Sequence, residues 1–176
     1  MKYYSGSGDA GQTSLLGGKR VSKGDYLIEV LGTFDEANAS LAICRSVCEN
    51  ADVISCIYQI QKDLSGLMGE LAAFETGDGN FIYINQNHLN WLEAKIESFS
   101  NRLPPFKSLI IPGDSYSGAL INASRAAVRR AERRLVTFFE LMEYENYDLL
   151  QYVNRLSSLC FVLVLFNDHA LKEGNK

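Results

Sequence analysis

The segment from Asn122 to Val136 constrains the fold most, because it has no glycine or proline and is rich in alanine, arginine, leucine and glutamate. Such a composition favours an α-helix. At about 100° per residue, four charged side chains fall within an arc of roughly 100°, and a mostly apolar set gathers on a different side. The charged set is Arg125, Arg129, Glu132 and Arg133, and the second set is Leu120, Ser124, Ala127, Val128, Ala131, Leu135 and Phe138. The segment therefore predicts a helix with one face against a core and a separate arginine row (Arg125, Arg129 and Arg133).

The arginine row has two interpretations. Arginines one helical turn apart repel one another unless an anion lies across them, and guanidinium groups bind carboxylates and phosphates well. The other interpretation is a solvated basic face, which is the commoner outcome for a run of charges. The whole chain carries a net charge of −4, which argues against nucleic acid as a partner.

The rest of the chain predicts an all-α protein, an antiparallel five-helix bundle behind a long N-terminal glycine-rich loop. Its 176 residues suit a single domain, with residues 1–24 as the loop and residues 25–172 as the bundle. Six glycines lie in the loop, where no helix or strand period is visible. Helical periodicity predicts helices from Asp25 onward, from about Asp52 to Phe74, after a cap at Asn85 or Asn87 and before Pro104-Pro105, from a cap at Ser115 to about Met142, and from about Tyr147 to Leu171, with a turn at Glu75–Asn80.

Cysteine usage and hydropathy bear on the compartment. The four cysteines, Cys44, Cys48, Cys56 and Cys160, do not have the spacing of a metal finger, so we expect buried free thiols in a reducing compartment. The first residues form no apolar run, and the longest such run, Leu159 to Phe166, has eight residues. These observations favour a cytoplasmic protein without a signal peptide or a membrane span.

The glycine-rich loop could bind an anion. Glycines let backbone N–H groups turn toward an anion, and hydroxyl groups can add donors. The stretch from Gly6 to Thr13 nearly matches the phosphate loop of nucleoside triphosphatases, but Gln12 stands at the lysine position and only five residues precede Gly6. This context excludes a P-loop fold. A flexible tail remains the alternative, while Lys19, Arg20 and Lys23 close behind favour a contact with polyphosphate.

Two other features could belong to a site. Asp35 on the first helix could hold an arginine of the fourth helix, although an acid at such a position is more often a plain surface residue. Asn154 and Arg155 open an apolar stretch and need hydrogen-bond partners, which a ligand or the neighbouring chain could supply. The sequence has no Glu-x-x-His pair, no arguable Ser/His/Asp set and no metal-ligand cluster. If the protein is an enzyme, its chemistry should depend on positioning, charge stabilisation and a reactive cofactor.

Three blocks of sequence together resemble one family. The first comprises Ser7-Gly-Asp-Ala-Gly-Gln-Thr-Ser-Leu, Gly18-Lys-Arg-Val-Ser-Lys and Gly32-Thr-Phe-Asp-Glu, the second is Arg125-Ala-Ala-Val-Arg-Arg-Ala-Glu-Arg, and the third is Val153-Asn-Arg-Leu-Ser. In order, spacing and chain length they are similar to the PduO-type ATP:cob(I)alamin (corrinoid) adenosyltransferase family. The resemblance covers nearly the whole chain, and the second and third blocks make it specific.

The resemblance implies a five-helix bundle that assembles as a homotrimer, with ATP bound between subunits. The loop of one subunit would cover the fourth helix of another. The implied ATP contacts are Ser5, Gly6, Ser7, Gly8, Thr13, Ser14, Lys23, Arg129, Arg130, Glu132, Arg133 and Asn154. The implied catalytic residues are Arg129, Asp35 and Arg125, with Asp35 pairing with Arg129 across the interface. Mg²⁺ would accompany the triphosphate, without ligands assigned among the protein side chains.

The implied reaction transfers the 5′-deoxyadenosyl group of ATP to cob(I)alamin, giving adenosylcobalamin and triphosphate. The leaving group is a polyanion, and the arginine row with Lys23 would stabilise its growing charge. No general base is needed, which suits a chain without a placed histidine. The implied partners are a flavoprotein reductase that supplies Co(I) or a cobalamin-dependent enzyme that uses the product.

The chain departs from the family pattern mainly on the corrinoid side. Leu109 stands where the family has a phenylalanine that empties the lower axial site of cobalt, and Asn122 replaces a histidine. The other departures are Gly6 for a basic residue, Leu27 for arginine, Asp114 for the second glycine of a Pro-Gly-Gly connector, and Ser158 for aspartate. We assign Leu109 and Asn122 to the corrinoid pocket. The alternative function is a non-catalytic ATP- and corrinoid-binding homologue that senses or delivers the cofactor.

Overall fold

The computed structural model describes residues 3–74, 81–105 and 110–174. The elements in chain order are β1 (Gln12–Ser14), β2 (Arg20–Ser22), α1 (Tyr26–Val47), α2 (Ala51–Phe74), α3 (Gln86–Ser100), α4 (Tyr116–Met142) and α5 (Tyr147–Gly174). The predicted five helices are therefore confirmed. The predicted turn at Glu75–Asn80 lies outside the described residues.

Three polar side chains set the starts of helices. Asp25 precedes α1 and accepts a hydrogen bond from the Leu27 amide, 2.9 Å away. Asn85, rather than Asn87, caps α3. Ser115 caps α4, because its Oγ accepts from the Gly118 amide at 2.9 Å. Each cap satisfies an N–H group that has no partner within its own helix.

Helix α4 packs against both α1 and α5, while α2 lies on α1 and α3 lies on α5. Most of the predicted packing face of α4 is buried: Ser124, Val128, Ala131, Leu135 and Phe138. Leu120 and Ala127 are partly buried at its edge. Because α4 has neighbours on two sides, its arginine row lies on the side that the bundle leaves open.

Helix α5 is long and apolar enough to cross a membrane by length and composition, but most of that apolar segment is buried inside the bundle. This burial is typical of a core helix. It explains why α5 is apolar over a longer stretch than the eight-residue run from Leu159 to Phe166. The four cysteines are free and buried, as predicted.

The N-terminal segment is not without secondary structure, contrary to the prediction. Strands β1 and β2 form an antiparallel hairpin in which Thr13 faces Val21 and Ser14 faces Arg20. Gly17 and Gly18 have φ angles of 85° and 86° in its loop, a conformation that glycine adopts without steric cost. Leu15 anchors the hairpin to the hydrophobic core. Strands of three residues are too short to produce a recognisable alternation in sequence.

A buried carboxylate joins several other elements of the structure. Glu70 of α2 is 1% exposed, and its Oε2 accepts hydrogen bonds from the Tyr83 and Ile84 amides, both at 2.8 Å. Its Oε1 accepts from the Tyr144 hydroxyl and the Asn146 amide group, both at 2.6 Å. We call this set the Glu70 clasp. It joins α2 to the segment before α3 and to the connection between α4 and α5.

Candidate functional site

Two members of the arginine row are exposed on α4. Arg129 and Arg133 face solvent, while Arg125 is half-buried. Among the described residues, the Arg129 guanidinium has no hydrogen-bond or ion-pair partner, and Arg133 donates one bond to the Arg129 carbonyl oxygen at 2.9 Å. The two side chains line a depression of about 250 Å³ together with Glu132 and Val136. The row therefore retains unused N–H donors at an open surface.

Asn154 of α5 reaches the same surface. Its Nδ2 donates to Glu132 Oε1 at 2.9 Å, and Glu132 lines the depression with the two exposed arginines. The structure thus brings together Arg129, Glu132, Arg133 and Asn154, four of the residues that the sequence assigned to one ligand.

Arg125 is held within its own helix. Its Nε donates to Asn122 Oδ1 at 2.9 Å. Burial raises the pKa of the nearby Cys160 thiol to about 12, and the positive charge of Arg125 opposes that rise. Arg125 is therefore close enough to α5 for its charge to act on a buried residue there. The sequence assigned Asn122 to the corrinoid pocket, and the structure gives its carbonyl oxygen to an arginine.

The remaining arginines of this region are paired inside the chain. Arg130 forms an ion pair with Glu36 of α1, and Arg155 forms one with Glu93 of α3. A neighbouring side chain, rather than a ligand, thus satisfies Arg155. Asp35 is exposed on α1 and has no ion pair with a described residue of its own chain.

The hairpin organises the N-terminal loop. Arg20 donates to the Ser7 carbonyl oxygen at 2.6 Å and to Ser14 Oγ at 3.3 Å. The hydroxyl groups of Ser5 and Ser7 are 2.7 Å apart. The Lys23 ammonium group lies so close to Gly8 that a Cβ on that glycine would be 3.1 Å from Nζ. The predicted loop residues therefore converge.

Arg20 holds the loop together through these hydrogen bonds, a role that the sequence did not predict. It was recognised only as one of three basic residues, although it stands opposite Ser14 in the hairpin. Thr13, another predicted contact, is half-buried in the neighbouring position of β1. Gly6 has a φ of 71°. A residue with a side chain would adopt this conformation only at a steric cost.

The loop and the arginine row are two surfaces of the chain that carry hydrogen-bond donors. Between described residues, no hydrogen bond or ion pair joins the segment from Ser5 to Gly8 with Arg129 or Arg133. Leu109, expected in the corrinoid pocket, lies outside the described residues. Among the described residues, Ile110, Leu165, Asp168 and Lys172 line a cavity of about 190 Å³ with others. The residues that the structure describes include no group of three or more His, Cys, Asp or Glu side chains that could hold a metal ion.

The two surfaces share one chemistry. Guanidinium groups with free donors, an ammonium group beside a glycine, and clustered serine hydroxyls all favour a polyanion. The only histidines of the chain are His88 and His169. His88 is within 3.2 Å of the Asn85 cap, and His169 is paired with Glu173 on α5. The arrangement can therefore neutralise a multiply charged group, and both histidines have their described partners away from the arginine row.

Comparison with known proteins agrees with this chemistry. The family model described as cobalamin adenosyltransferase matches residues 3–167. The corrinoid adenosyltransferase PduO of Citrobacter freundii is 36% identical over 176 residues, covering 99% of this chain and 52% of the relative. The corrinoid adenosyltransferase of Bacillus subtilis is 32% identical over 165 residues, covering 92% of this chain and 83% of the relative. The chain thus spans about half the length of the PduO relatives it matches.

Solved structures match as well. A phenylalanine-to-histidine variant of the PduO-type ATP:corrinoid adenosyltransferase from Lactobacillus reuteri, complexed with cobalamin and ATP, superposes with a TM-score of 0.86 at 28% identity, covering 97% of this chain and 93% of that chain. An arginine-to-lysine variant complexed with ATP gives 0.84 at 29% identity, covering 96% and 95%. With its sequence matched from residue 3 to residue 167, this chain belongs to the cobalamin adenosyltransferase family.

Proposed function

We propose that this chain transfers the 5′-deoxyadenosyl group of ATP to cob(I)alamin, giving adenosylcobalamin and triphosphate. The observation that carries the proposal is the open surface of α4, where Arg129 and Arg133 keep unused donors beside Asn154. A family member with such a surface can receive the phosphates of a nucleotide. Relatives of known structure bind ATP and cobalamin, which supports the same substrates here.

ATP would contact two surfaces. On the helices the contacts are Arg129, Arg130, Glu132, Arg133 and Asn154. In the loop of residues 1–24 they are Ser5, Gly6, Ser7, Gly8, Thr13, Ser14 and Lys23. Because no described hydrogen bond or ion pair joins the segment from Ser5 to Gly8 with Arg129 or Arg133 of the same chain, the proposed active form is a homotrimer in which the loop of one subunit covers α4 of the next. Asp35 would then pair with Arg129 of the adjacent subunit, and the absence of an ion pair at Asp35 among its own chain's described residues supports this.

The reaction requires charge stabilisation rather than proton transfer. The electron pair of Co(I) forms the bond between cobalt and the 5′ carbon, the bond from that carbon to oxygen breaks, and its electron pair leaves on the triphosphate. Arg125, Arg129 and Lys23 would stabilise this developing charge. No proton moves in the step, which agrees with a site that has no histidine beside the arginines.

Mg²⁺ fits the proposed site as a companion of the phosphates. Magnesium sites of this kind commonly use one or two carboxylates together with substrate phosphates. Glu132, which lines the depression with Arg129 and Arg133, is the candidate carboxylate. The ion would neutralise phosphate charge when bound.

The corrinoid would approach on the side of Leu109 and Asn122. A flavoprotein reductase would supply Co(I), or a cobalamin-dependent enzyme would receive the product. A cytoplasmic location is part of the proposal, and the four buried free thiols support it because such thiols persist in reducing compartments.

The direct test is anaerobic incubation of the protein with cob(I)alamin and MgATP. We expect adenosylcobalamin and triphosphate to form in equal amounts. The absorbance spectrum measures the adenosylcobalamin. Tight ATP binding without product under strongly reducing conditions would instead favour the non-catalytic ATP- and corrinoid-binding homologue.

A further inference from the structure

A cavity of about 640 Å³ lies at the turn between α4 and α5. Small-molecule sites in proteins usually have volumes of roughly 300 to 1,000 Å³. No residue among those described lines both this cavity and the depression beside Arg129 and Arg133. Aromatic rings and carboxylates form much of its wall, and the described lining residues include no lysine or arginine. These rings and carboxylates belong to Phe74, Tyr144 and Tyr147 and to Glu143, Glu145 and Asp148.

The aromatic wall is held in place by contacts within the chain. The rings of Tyr144 and Phe74 meet edge to face, with centroids 5.1 Å apart, and Phe139 packs on Tyr144 at 5.0 Å. The Tyr144 hydroxyl also donates to the buried Glu70 at 2.6 Å. Tyr147, in contrast, is 64% exposed although it lines the cavity. A fixed wall with one open ring can bind a ligand without first being ordered, and that ring can attract a cation.

The three carboxylates are unpaired within the described part of the chain. No hydrogen bond or ion pair from another described residue reaches Glu143, Glu145 or Asp148. The negative end of α4 and the positive end of α5 meet at this turn and offset each other, so the carboxylates set the charge of the cavity. Other surface acids do pair with arginine or lysine, namely Glu29, Glu36, Asp52, Glu93 and Asp114.

The carboxylates are spread over the cavity rather than gathered at one point. Over the residues that the structure describes, no group of three or more His, Cys, Asp or Glu side chains could hold a metal ion, although three acids line this one cavity. A compact divalent cation needs oxygen ligands that converge at about 2.0 to 2.6 Å. Spread carboxylates instead suit an elongated cation whose charges are separated by apolar segments, because such segments can cover the aromatic wall.

We propose that this cavity is a binding site for an aliphatic polyamine. Its ammonium groups pair with Glu143, Glu145 and Asp148, and its methylene segments pack on the rings of Phe74 and Tyr147. An ammonium group beside the open ring of Tyr147 gains a cation–π attraction. The site uses none of the residues assigned to ATP, so the inference goes beyond the proposed function and does not depend on it.

Isothermal titration calorimetry with spermidine at constant ionic strength tests the site. ATP is left out, because spermidine itself pairs with the phosphates of ATP. We expect saturable binding to the wild-type protein. Glu143→Gln/Glu145→Gln should raise the Kd at least about tenfold, since two carboxylate–ammonium pairs are lost. Glu49→Gln/Glu97→Gln makes the same change in net charge at exposed acids outside the described lining, and its Kd should stay within about twofold of wild type.

Two further comparisons test the shape of the ligand and the aromatic wall. Putrescine has one ammonium group fewer than spermidine and should bind at least about threefold more weakly. Tyr147→Leu should raise the Kd for spermidine at least about threefold through loss of the ring. Because that ring is largely exposed, the melting temperature of Tyr147→Leu should stay near that of wild type, so this variant tests the site even if the double variant folds poorly.

Three results would overturn the polyamine site. They are an absence of saturable spermidine binding to the wild-type protein, an unchanged Kd in Glu143→Gln/Glu145→Gln, and an equal loss of affinity in Glu49→Gln/Glu97→Gln, which would indicate attraction to the net charge alone. The titration needs neither cobalamin nor turnover. A protein that makes no adenosylcobalamin but binds spermidine as described would refute the proposed function and leave the polyamine site standing.

Discussion

The Glu70 clasp and the arginine row are two ways of placing charge in one bundle. Glu70 is buried, and four donors within 2.6 to 2.8 Å satisfy its two oxygens. Arg129 and Arg133 are exposed and retain donors that the described residues leave unused. A carboxylate whose oxygens are all hydrogen-bonded has little capacity to bind a ligand. Guanidinium groups with unused donors can bind one. Burial and hydrogen-bond saturation therefore separate a structural charge from one that is open to a ligand.

The largest expected effect is on activity at the arginine row. Arg129→Ala should lower turnover at least about 100-fold, because under the proposed function the variant loses a donor that stabilises the developing charge. Its free energy of unfolding should stay within about 0.5 kcal/mol of wild type, since the side chain makes no described contact. Both quantities can be measured, by product formation and by urea unfolding.

Arg134→Ala is the matched control on the same helix. Arg134 is exposed and pairs with Glu29 at 3.3 Å, a surface ion pair whose loss should change stability by less than about 1 kcal/mol. Its turnover should remain near that of wild type. Full activity in Arg129→Ala would remove the distinction between the row and an ordinary solvated face.

Substitution of Glu70 in the Glu70 clasp should lower the stability of the protein. Glu70→Ala removes the acceptor of four donors, of which Asn146 Nδ2 alone keeps another described acceptor, the Ile84 carbonyl oxygen at 3.0 Å, so the free energy of unfolding should fall by about 3 kcal/mol or more. Urea unfolding measures this, with the exposed Glu140→Ala as the control, which should change it by less than about 0.5 kcal/mol. An unchanged unfolding midpoint for Glu70→Ala would show that the clasp does not stabilise the fold.

A smaller effect tests the packing beside the clasp. A Cβ on Gly66 would lie 2.1 Å from the Tyr83 ring, whereas one on Gly69 meets only Phe81 at 3.8 Å. Gly66→Ala should therefore destabilise the protein by about 2 kcal/mol through overpacking. Gly69→Ala should stabilise it by up to about 1 kcal/mol, because alanine favours a helix. Equal melting temperatures in the two variants would contradict the described position of Tyr83.

The smallest effect concerns alkaline pH. Burial raises the pKa of Cys160 from 9.0 to about 12. At a pH between these two values the unfolded chain therefore holds fewer protons than the folded one. Stability from this thiol is complete below pH 9 and falls as pH rises toward 12. From pH 9 to pH 10 the loss should be about 1 kcal/mol, and Cys160→Ala should show a weaker decline in urea unfolding. A steeper decline in the variant would contradict the assignment.

The helices could be predicted from the sequence because long segments repeat the helical period many times. The caps at Asn85 and Ser115 followed from residue type at the ends of those segments. The hairpin could not be predicted, since its strands have three residues each.

The site was predictable only in part. Helical spacing grouped Arg129, Glu132 and Arg133, and the family resemblance added Asn154. The pairs Arg130–Glu36 and Arg155–Glu93 depend on which helices pack together, which spacing does not specify. The contact between Asn122 and Arg125 spans three residues of one helix, a spacing at which helical side chains interact, so it could have been inferred from sequence.

The most direct test of the account is ³¹P NMR of MgATP bound to the wild-type protein and to the Arg129→Ala/Arg133→Ala double variant. The account predicts that the β- and γ-phosphate resonances shift and broaden with the wild-type protein and remain near their free positions with the double variant. Equal shifts with both proteins would mean that the phosphates bind elsewhere, and the proposed role of the arginine row would be wrong.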